Sequence, residues 1–142
     1  MKNVLIIGST GQIGSELTLK LRKEIPGSSV VAGYVRGSEP KGELLESGPS
    51  EELDVRDGKH ISEIVRRYRL DTIYNLAALL SAVAETRPLM AWDIQMNGLL
   101  AILEVAREEG CAVFTPSSIG SFGPETPHVM TPQDAVQRPL SM

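Results

Sequence analysis

The sequence predicts an α/β protein built on a doubly wound parallel sheet with helices on both faces. Short, nearly all-apolar segments alternate with segments whose apolar residues recur at helical spacing. The first apolar segment ends in a glycine-rich turn that leads directly into a helix. Strands that are apolar on both faces and separated by helices pair in parallel and are covered on both sides. Ligands of such sheets bind beyond the carboxyl ends of the strands.

A glycine turn follows the first predicted strand, residues 4–7, and precedes a helix that begins near Ile13. Its glycines recur every three residues: Gly8, Gly11 and Gly14. In order, they permit a tight exit from the strand, a close approach of a pyrophosphate, and close packing of the helix on the strand. The free N–H groups at the helix start favour an anion, and the hydroxyls of Ser9 and Thr10 are further candidate donors. This order of elements favours a dinucleotide site over a glycine turn that binds nothing.

The later elements continue the alternation of strand and helix. We expect strands at residues 29–35, 52–55, 71–78 and 112–115, the fourth of them running into a loop of small residues, and helices at about 13–25, 58–68 and 88–110. Residues 36–49 have no clear period and predict a surface excursion with one helical turn near Leu44 and Leu45. The inward face of the last helix is predicted to comprise Trp92, Met96, Leu99, Leu100, Leu103, Val105 and Ala106.

Composition limits the class of protein. The 142 residues are 42% hydrophobic and 23% charged, with a net charge of −4, which indicates one soluble domain and argues against nucleic acid as a partner. His60 and His128 belong to no ligand spacing, so no metal site is expected, and Cys111 is expected to be a small buried thiol. We expect no signal peptide, no apolar run long enough to span a bilayer, and a cytoplasmic location.

The region after the fifth strand differs from the rest. Five of the nine prolines fall within residues 116–142, so a long helix or a central strand is not expected there. We therefore predict a dinucleotide-binding domain of the Rossmann type over residues 1–115 and a proline-rich active-site loop region over 116–142.

Five separated motifs resemble the extended short-chain dehydrogenase/reductase family. They are residues 8–14, 53–55, 75–78, 97–98 and 116–123. Within that family, residues 80–82, 122–127 and 138–139 are most similar to the L-threonine 3-dehydrogenases of the short-chain type, and sugar-nucleotide epimerases come next. The resemblance implies oxidation of the threonine side-chain hydroxyl to a ketone, giving 2-amino-3-ketobutyrate, with hydride transfer to NAD.

The resemblance also implies roles for individual residues. The pyrophosphate would contact Gly8, Gly11, Gln12, Ile13 and Gly14. Asp54 and Val55 would flank the adenine, with the Asp54 carboxylate accepting from its exocyclic amine. Leu76, Ala77 and Ala78 would line the nicotinamide half. Asn97 would support a proton relay, Ser118 would hold the reacting oxygen of the substrate, and Ser81 would contact the substrate. Without the resemblance, the favoured explanation is that Asn75 or Asn97 satisfies a buried backbone group and that Ser117 and Ser118 cap a turn.

Two positions depart from the family pattern. Tyr34 stands where an acidic residue normally binds the ribose hydroxyls, and nearby Arg36 is able to pair with a 2′-phosphate, so NAD is expected while NADP stays open. None of the three tyrosines is followed four residues later by lysine, the pair that the family uses as its acid/base. We therefore expect these 142 residues to be the truncated cofactor-binding part of a longer enzyme, inactive alone.

Three further expectations complete the sequence-based hypothesis. The alternatives to a threonine dehydrogenase are a sugar-nucleotide epimerase or dehydratase of the same family and a non-catalytic dinucleotide-binding module. L-Threonine is the expected small-molecule substrate. The helices after Gly58 and Pro88 resemble those that pair in family dimers, so a homodimer is expected.

Overall fold

A computed structural model describes residues 2–79, 81–118, 122–127 and 129–132. Within them the chain forms one five-stranded sheet in which every neighbouring pair is parallel. The strands are β1 (Val4–Ile7), β2 (Val30–Tyr34), β3 (Ser50–Glu52), β4 (Thr72–Asn75) and β5 (Ala112–Phe114), in the spatial order β3-β2-β1-β4-β5. The strand order reverses between β1 and β4, and such a switch point leaves a crevice at the carboxyl ends of the strands. The predicted fold class is confirmed.

Six α-helices connect and cover the described strands. They are α1 (Gln12–Glu24), α2 (Glu43–Glu46), α3 (Gly58–Tyr68), α4 (Ser81–Thr86), α5 (Pro88–Trp92) and α6 (Gly98–Glu109). A π-helical turn, Asp93–Asn97, joins α5 to α6 without a break, so the long helix predicted from residue 88 to 110 is present with a wider turn in its middle. The helical turn predicted near Leu44 is α2, whereas α4 has no counterpart among the predicted elements.

The core lies on both faces of the sheet because successive strand residues point in opposite directions. On one face, Leu5 and Ile7 of β1 pack with the buried residues of α3 and α6. On the other, Val4 and Ile6 pack against Leu21 of α1. The helices do not cover the sheet evenly. Phe114 of β5 is half exposed, and its ring lies against that of Tyr74 with a centroid distance of 5.4 Å.

The predicted position of β3 was wrong by two residues. The strand is Ser50–Glu52, not 52–55, and it pairs only with β2 at the edge of the sheet. An edge strand can carry polar residues on its open side, so the apolar criterion missed it. Leu53 and Val55 are buried beyond the strand end, where they contribute to the core from a loop. The fourth strand is likewise shorter than predicted, because residues 76–79 already belong to the loop.

The predicted inward face of the long helix was wrong at four positions: Trp92, Met96, Leu100 and Leu103 are exposed. The buried face consists of Ala91, Gly98, Ile102, Val105 and Ala106, and Leu99 is half-buried. Two physical reasons explain the difference. The π-helical turn accommodates an extra residue and shifts the period, and small residues let the helix approach closely. A Cβ on Gly98 would lie 2.8 Å from Cγ1 of Val55.

The exposed apolar positions of this helix bear on membranes as well. By length and composition alone, Pro88–Glu109 is the one helix in the described part of the chain that would suffice to cross a bilayer. The expectation that no apolar run reaches this length was therefore wrong. One side of this helix packs on the sheet and on α3, and 28% of its most apolar window is buried.

Arg22 of α1 fastens the excursion of residues 36–49 to the sheet. Its guanidinium donates to the carbonyl oxygens of Val30 (3.1 Å), Leu44 (2.6 Å) and Pro49 (2.6 Å) and to the hydroxyl of Ser47 (2.9 Å). Partial burial lowers the pKa of this side chain. Arg22 therefore holds the second half of the excursion, including α2, against α1 and β2.

The described parts of the proline-rich region, 116–118, 122–127 and 129–132, contain no helix or strand. His128 and residues 133–142 lie outside the described residues.

Candidate dinucleotide site

A cavity of about 320 Å³ lies at the carboxyl ends of the strands, where the strand order reverses. Its walls come from the glycine turn after β1, the loops after β2, β3 and β4, and the α5 end of the long helix. Eight residues predicted to bind the cofactor line it: Gly8, Gly11, Tyr34, Asp54, Val55, Leu76, Ala77 and Ala78. Residues from four segments of sequence thus meet in one cavity.

Two of the three glycines are required by the fold. Gly8 has φ +83°, and a Cβ there would lie 2.9 Å from the carbonyl carbon of Leu76. A Cβ on Gly14 would overlap the carbonyl oxygen of Gly8 and lie 2.8 Å from Cα of Ser9. Because all of these neighbours are backbone atoms, they have little freedom to move aside. Gly8 and Gly14 allow the turn and the close contact of α1 with it.

Gly11 is different, because nothing in the fold demands a glycine there. Its backbone is extended, with φ −74° and ψ 168°, and a Cβ would meet only the carbonyl oxygen of Gly8 at 3.4 Å. Gly11 is also the N-cap of α1 and supplies no side-chain cap, and the first turn of α1 carries no acidic residue. The helix start is therefore open to an anion that approaches from the cavity.

The two hydroxyls of the glycine turn serve different purposes. Ser9 is fully buried, and its hydroxyl donates to the carbonyl of Gly33 at 2.9 Å, so it ties the turn to β2 and does not reach the cavity as a donor. Thr10 lines the cavity and donates to the hydroxyl of Ser38 at 3.2 Å. This hydrogen bond links the glycine turn to the loop after β2.

Some predicted residues do not line the cavity. Gln12 and Ile13 are exposed at the start of α1, and Gly14 is buried beneath the turn. Asn97 and Ser118 are exposed, the former at the end of the π-helical turn and the latter four residues beyond β5. Ser81 begins α4, and its side chain lies outside the described part of the structure. The structure thus brings together residues predicted for the pyrophosphate, the adenine and the nicotinamide half, whereas Asn97 and Ser118 are not among the residues that line the cavity.

The loop after β3 carries the charged groups of the cavity, Asp54 and Arg56. The Arg56 guanidinium bonds both oxygens of the Asp54 carboxylate, and this hydrogen bonding lowers the pKa of Asp54. The same guanidinium reaches Asp93 on the π-helical turn at 2.6 Å. The cavity therefore presents an ionised carboxylate whose position is fixed by an arginine.

Sequence reasoning missed several lining residues, among them Ser38, Arg56, Met90 and Ile94. A position just beyond the carboxyl end of a strand is a signal that points to Arg56. Met90 and Ile94 line the cavity because the long helix crosses the sheet at this point. No feature of the sequence indicates where that helix crosses. Asn75 is buried, and its side-chain oxygen accepts from the backbone N–H of Ala77 at 3.3 Å. Asn75 therefore satisfies a backbone group, as expected for a residue with a structural role.

Among residues 2–79, 81–118, 122–127 and 129–132, no group of three or more His, Cys, Asp or Glu side chains is arranged to hold a metal ion. The Cys111 thiol donates to the carbonyl of Leu70 at 3.3 Å, and partial burial raises its pKa. A thiol held in this way is protonated at neutral pH and has a structural role.

Comparison with known proteins identifies the family of the chain. The model of the NAD dependent epimerase/dehydratase family matches residues 4–141. An uncharacterized epimerase/dehydratase of Staphylococcus saprophyticus is 51% identical over 142 residues, which is 100% of this chain and 44% of the relative. A similar protein of Staphylococcus epidermidis is 47% identical with the same coverage.

Solved structures of two kinds of enzyme superpose on the chain. The L-threonine dehydrogenase of Clostridium difficile superposes with a TM-score of 0.90 at 51% identity, over 99% of this chain and 44% of that one. A UDP-glucose 4-epimerase of Thermotoga maritima superposes with a TM-score of 0.83 at 26% identity, over 98% of this chain and 45% of that one. The chain therefore spans less than half the length of the proteins that it matches.

Proposed function

The chain belongs to the NAD dependent epimerase/dehydratase family, and from that premise we propose that its cavity binds NAD as the cofactor of an L-threonine 3-dehydrogenase. The observation that carries the cofactor assignment is Gly11. The backbone at Gly11 suits any residue and has room for a Cβ, so its bare surface is explained by a ligand that must come close. A pyrophosphate at the start of a helix is such a ligand.

The residues of the cavity fit a dinucleotide along its length. The glycine turn would hold the pyrophosphate through backbone N–H groups, and Asp54 with Val55 would bind the adenine on one side. Small side chains at Ala77 and Ala78 would leave room for the nicotinamide half. When bound, NAD would supply the hydride acceptor.

The threonine assignment rests on likeness to the Clostridium difficile enzyme and on the motifs beyond β4 and β5. In this proposal Ser118 holds the reacting oxygen of the substrate, Ser81 contacts the substrate, and Asn97 supports the proton relay. The 142 residues contain no tyrosine followed four positions later by lysine, so we assign cofactor binding without turnover to these residues by themselves.

A chimera tests the substrate class. We join these 142 residues to the remaining residues of the Clostridium difficile dehydrogenase and, separately, to those of the Thermotoga maritima epimerase. We expect NADH formation from L-threonine in the first chimera, and a loss of about 10²-fold in kcat when Ser118 is replaced with alanine, because a donor to the reacting oxygen is removed.

The matched control is Ser117→Ala, which removes the neighbouring hydroxyl and is expected to keep full activity. UDP-glucose epimerisation by the second chimera, with no threonine oxidation by the first, would favour the sugar-nucleotide alternative. Folded chimeras that bind NADH and turn over neither substrate would favour the non-catalytic module.

We propose NAD over NADP because the one arginine near the end of β2 is already paired. Both Nε and Nη2 of Arg36 lie 2.9 Å from Oε1 of Glu52 on the neighbouring strand. Tyr34 and Glu52 are register partners, so a carboxylate stands beside the position where a 2′-phosphate would be bound. The Glu52 carboxylate takes up the hydrogen bonds of the Arg36 guanidinium, and its negative charge repels a phosphate.

Titration with NADH and NADPH tests this assignment. We expect wild-type protein to bind NADH more tightly, and Glu52→Gln to raise the affinity for NADPH relative to NADH by about fivefold, as is typical when an exposed ion pair is released. Glu51→Gln is the control, because Glu51 binds Arg67 and Tyr68 elsewhere. Equal binding of the two cofactors by wild-type protein would contradict the assignment to NAD.

We also propose that the chain pairs with a second copy of itself through the exposed side of the long helix. The exposed apolar side chains there form what we call the outer stripe: Leu89, Trp92, Met96, Leu100 and Leu103. The stripe follows a continuous helix of 22 residues, about 33 Å long, and a shallow groove beside α4 adjoins it. One stripe can pair with its own copy about a two-fold axis, because such an interface uses the same residues on both sides.

A further inference from the structure

The Asp54 carboxylate is almost saturated with hydrogen bonds from a single residue. Its Oδ1 accepts from the backbone N–H of Arg56 at 3.0 Å and from Nε of Arg56 at 2.9 Å. Its Oδ2 accepts from Nη2 of Arg56 at 2.6 Å. A carboxylate offers about four acceptor sites, so one site remains, on Oδ2. A ligand group that bonds this remaining site must be a donor.

Arg56 is itself anchored from the other side. Its Nη1 donates to Oδ2 of Asp93 at 2.6 Å, and Oδ1 of Asp93 accepts from Nδ2 of Asn97 at 2.8 Å. Asp93 and Asn97 are the first and last residues of the π-helical turn, and local π-helical geometry is common at functional sites. The planar guanidinium therefore spans from the loop after β3 to the long helix, with one edge on each carboxylate.

Stability does not explain this arrangement. The side chains of Asp54 and Arg56 are each 42% exposed, and that of Asp93 is 40% exposed. Ion pairs with this much contact with solvent contribute little to the free energy of unfolding. These ion pairs instead fix the orientation of the side chains, because the two carboxylates hold the Arg56 guanidinium in place and the guanidinium in turn holds the Asp54 carboxylate. Hydrogen bonding by Arg56 also lowers the pKa of both Asp54 and Asp93, so both are charged at neutral pH.

We infer that Arg56 is a positioning residue for adenine recognition, which holds Asp54 with one acceptor site open and is held in turn by Asp93 on the π-helical turn. The inference rests on the proposed dinucleotide site, in which Asp54 accepts from the adenine amine, and adds the two residues that hold Asp54 for this contact, Arg56 and Asp93. Adenine presents an exocyclic amine, which donates a hydrogen bond. Hypoxanthine presents a carbonyl oxygen at the same position, and a fixed carboxylate repels it.

The test compares NADH with reduced nicotinamide hypoxanthine dinucleotide, in which a carbonyl oxygen replaces the exocyclic amine and the adjacent ring nitrogen carries a proton. Binding is followed by energy transfer from Trp92, the only tryptophan of the chain, to the reduced nicotinamide. We expect wild-type protein to bind NADH about tenfold more tightly, the value of one hydrogen bond to a charged group. Arg56→Lys keeps the charge but loses the planar fork, and the preference is expected to fall to about twofold. Asp93→Asn is expected to give an intermediate preference.

The control is Arg107→Lys, which alters an exposed arginine pair of the same kind, with Glu104 at 2.6 Å, away from the cavity. A preference that stays tenfold in Arg56→Lys would overturn the inference. So would equal losses of affinity for both dinucleotides, because a merely structural or electrostatic role does not distinguish the two bases. Wild-type protein that binds both equally would overturn it while leaving the dinucleotide site intact. Binding of neither would instead reject the proposed function.

Discussion

Replacing Gly14 with alanine is expected to lower the free energy of unfolding by about 3 kcal/mol, the upper part of the range for overpacking. The new Cβ would overlap the carbonyl oxygen of Gly8, and both groups are fixed by the contact of α1 with the glycine turn. Gly14 lies inside α1, where alanine ordinarily gains about 1 kcal/mol over glycine. The expected sign is therefore opposite to that of helix propensity. Urea unfolding followed by circular dichroism measures it.

Gly11→Ala is the matched control for this variant. At Gly11 a Cβ meets only one atom at 3.4 Å, so unfolding is expected to change by less than about 0.5 kcal/mol. The affinity for NADH is expected to fall by about tenfold or more, because the methyl group stands where the pyrophosphate approaches. A Gly14→Ala protein as stable as wild type would refute the packing argument, and unchanged NADH affinity in Gly11→Ala would remove the main support for the cofactor assignment.

Leu100→Glu is expected to convert a dimer into a monomer. Leu100 is 57% exposed and is the fourth of the five residues of the outer stripe, so in a two-fold interface each copy of the new carboxylate would face the apolar surface of the partner. Light scattering at about 100 µM should change from twice 15.4 kDa to 15.4 kDa. The emission of Trp92 should shift to longer wavelength, because its ring becomes exposed to water.

Leu45→Glu provides the comparison for this experiment. Leu45 is 52% exposed, similar to Leu100, but it lies on α2, away from the outer stripe. We expect this variant to remain dimeric. A wild-type chain that is already monomeric at 100 µM would refute pairing with a second copy, and would leave the parts of the longer relatives beyond this region as the cover for the stripe.

The sequence predicts those parts of the site whose requirements are local. The glycine turn is a contiguous stretch, and the steric need for two of its glycines comes from nearby atoms. The sequence therefore predicts both the tight turn at Gly8 and the close helix contact at Gly14. The edge strand β3 was misplaced because burial there is one-sided. The face of the long helix was misplaced because a π-helical turn changes the period, and no residue type signals such a turn.

Pairs that are distant in sequence were beyond prediction. Arg56 and Asp93 are 37 positions apart, and only the folded path of the long helix brings them to 2.6 Å. The pairing of Arg36 with Glu52 likewise depends on the register of β2 with β3, which the misplaced strand did not provide. Local chemistry therefore predicts the kind of ligand, whereas the residues that we propose to select among similar ligands are brought together only by the tertiary structure.

The parallel pairing of β1 also sets the order in which the molecule can form during synthesis. Val4 pairs with Val30 on one side and with Thr72 on the other, so the central strand lacks its second neighbour until the chain has been made as far as β4. No hairpin is available to hold it meanwhile, because parallel strands require long crossovers. The glycine turn leaves the ribosome among the earliest residues, yet its wall at Leu76 and Ala77 arrives only after β4. One edge of the apolar strand β1 therefore stays unpaired until residues 72–75 have been made, and the glycine turn acquires its full surroundings only at that point.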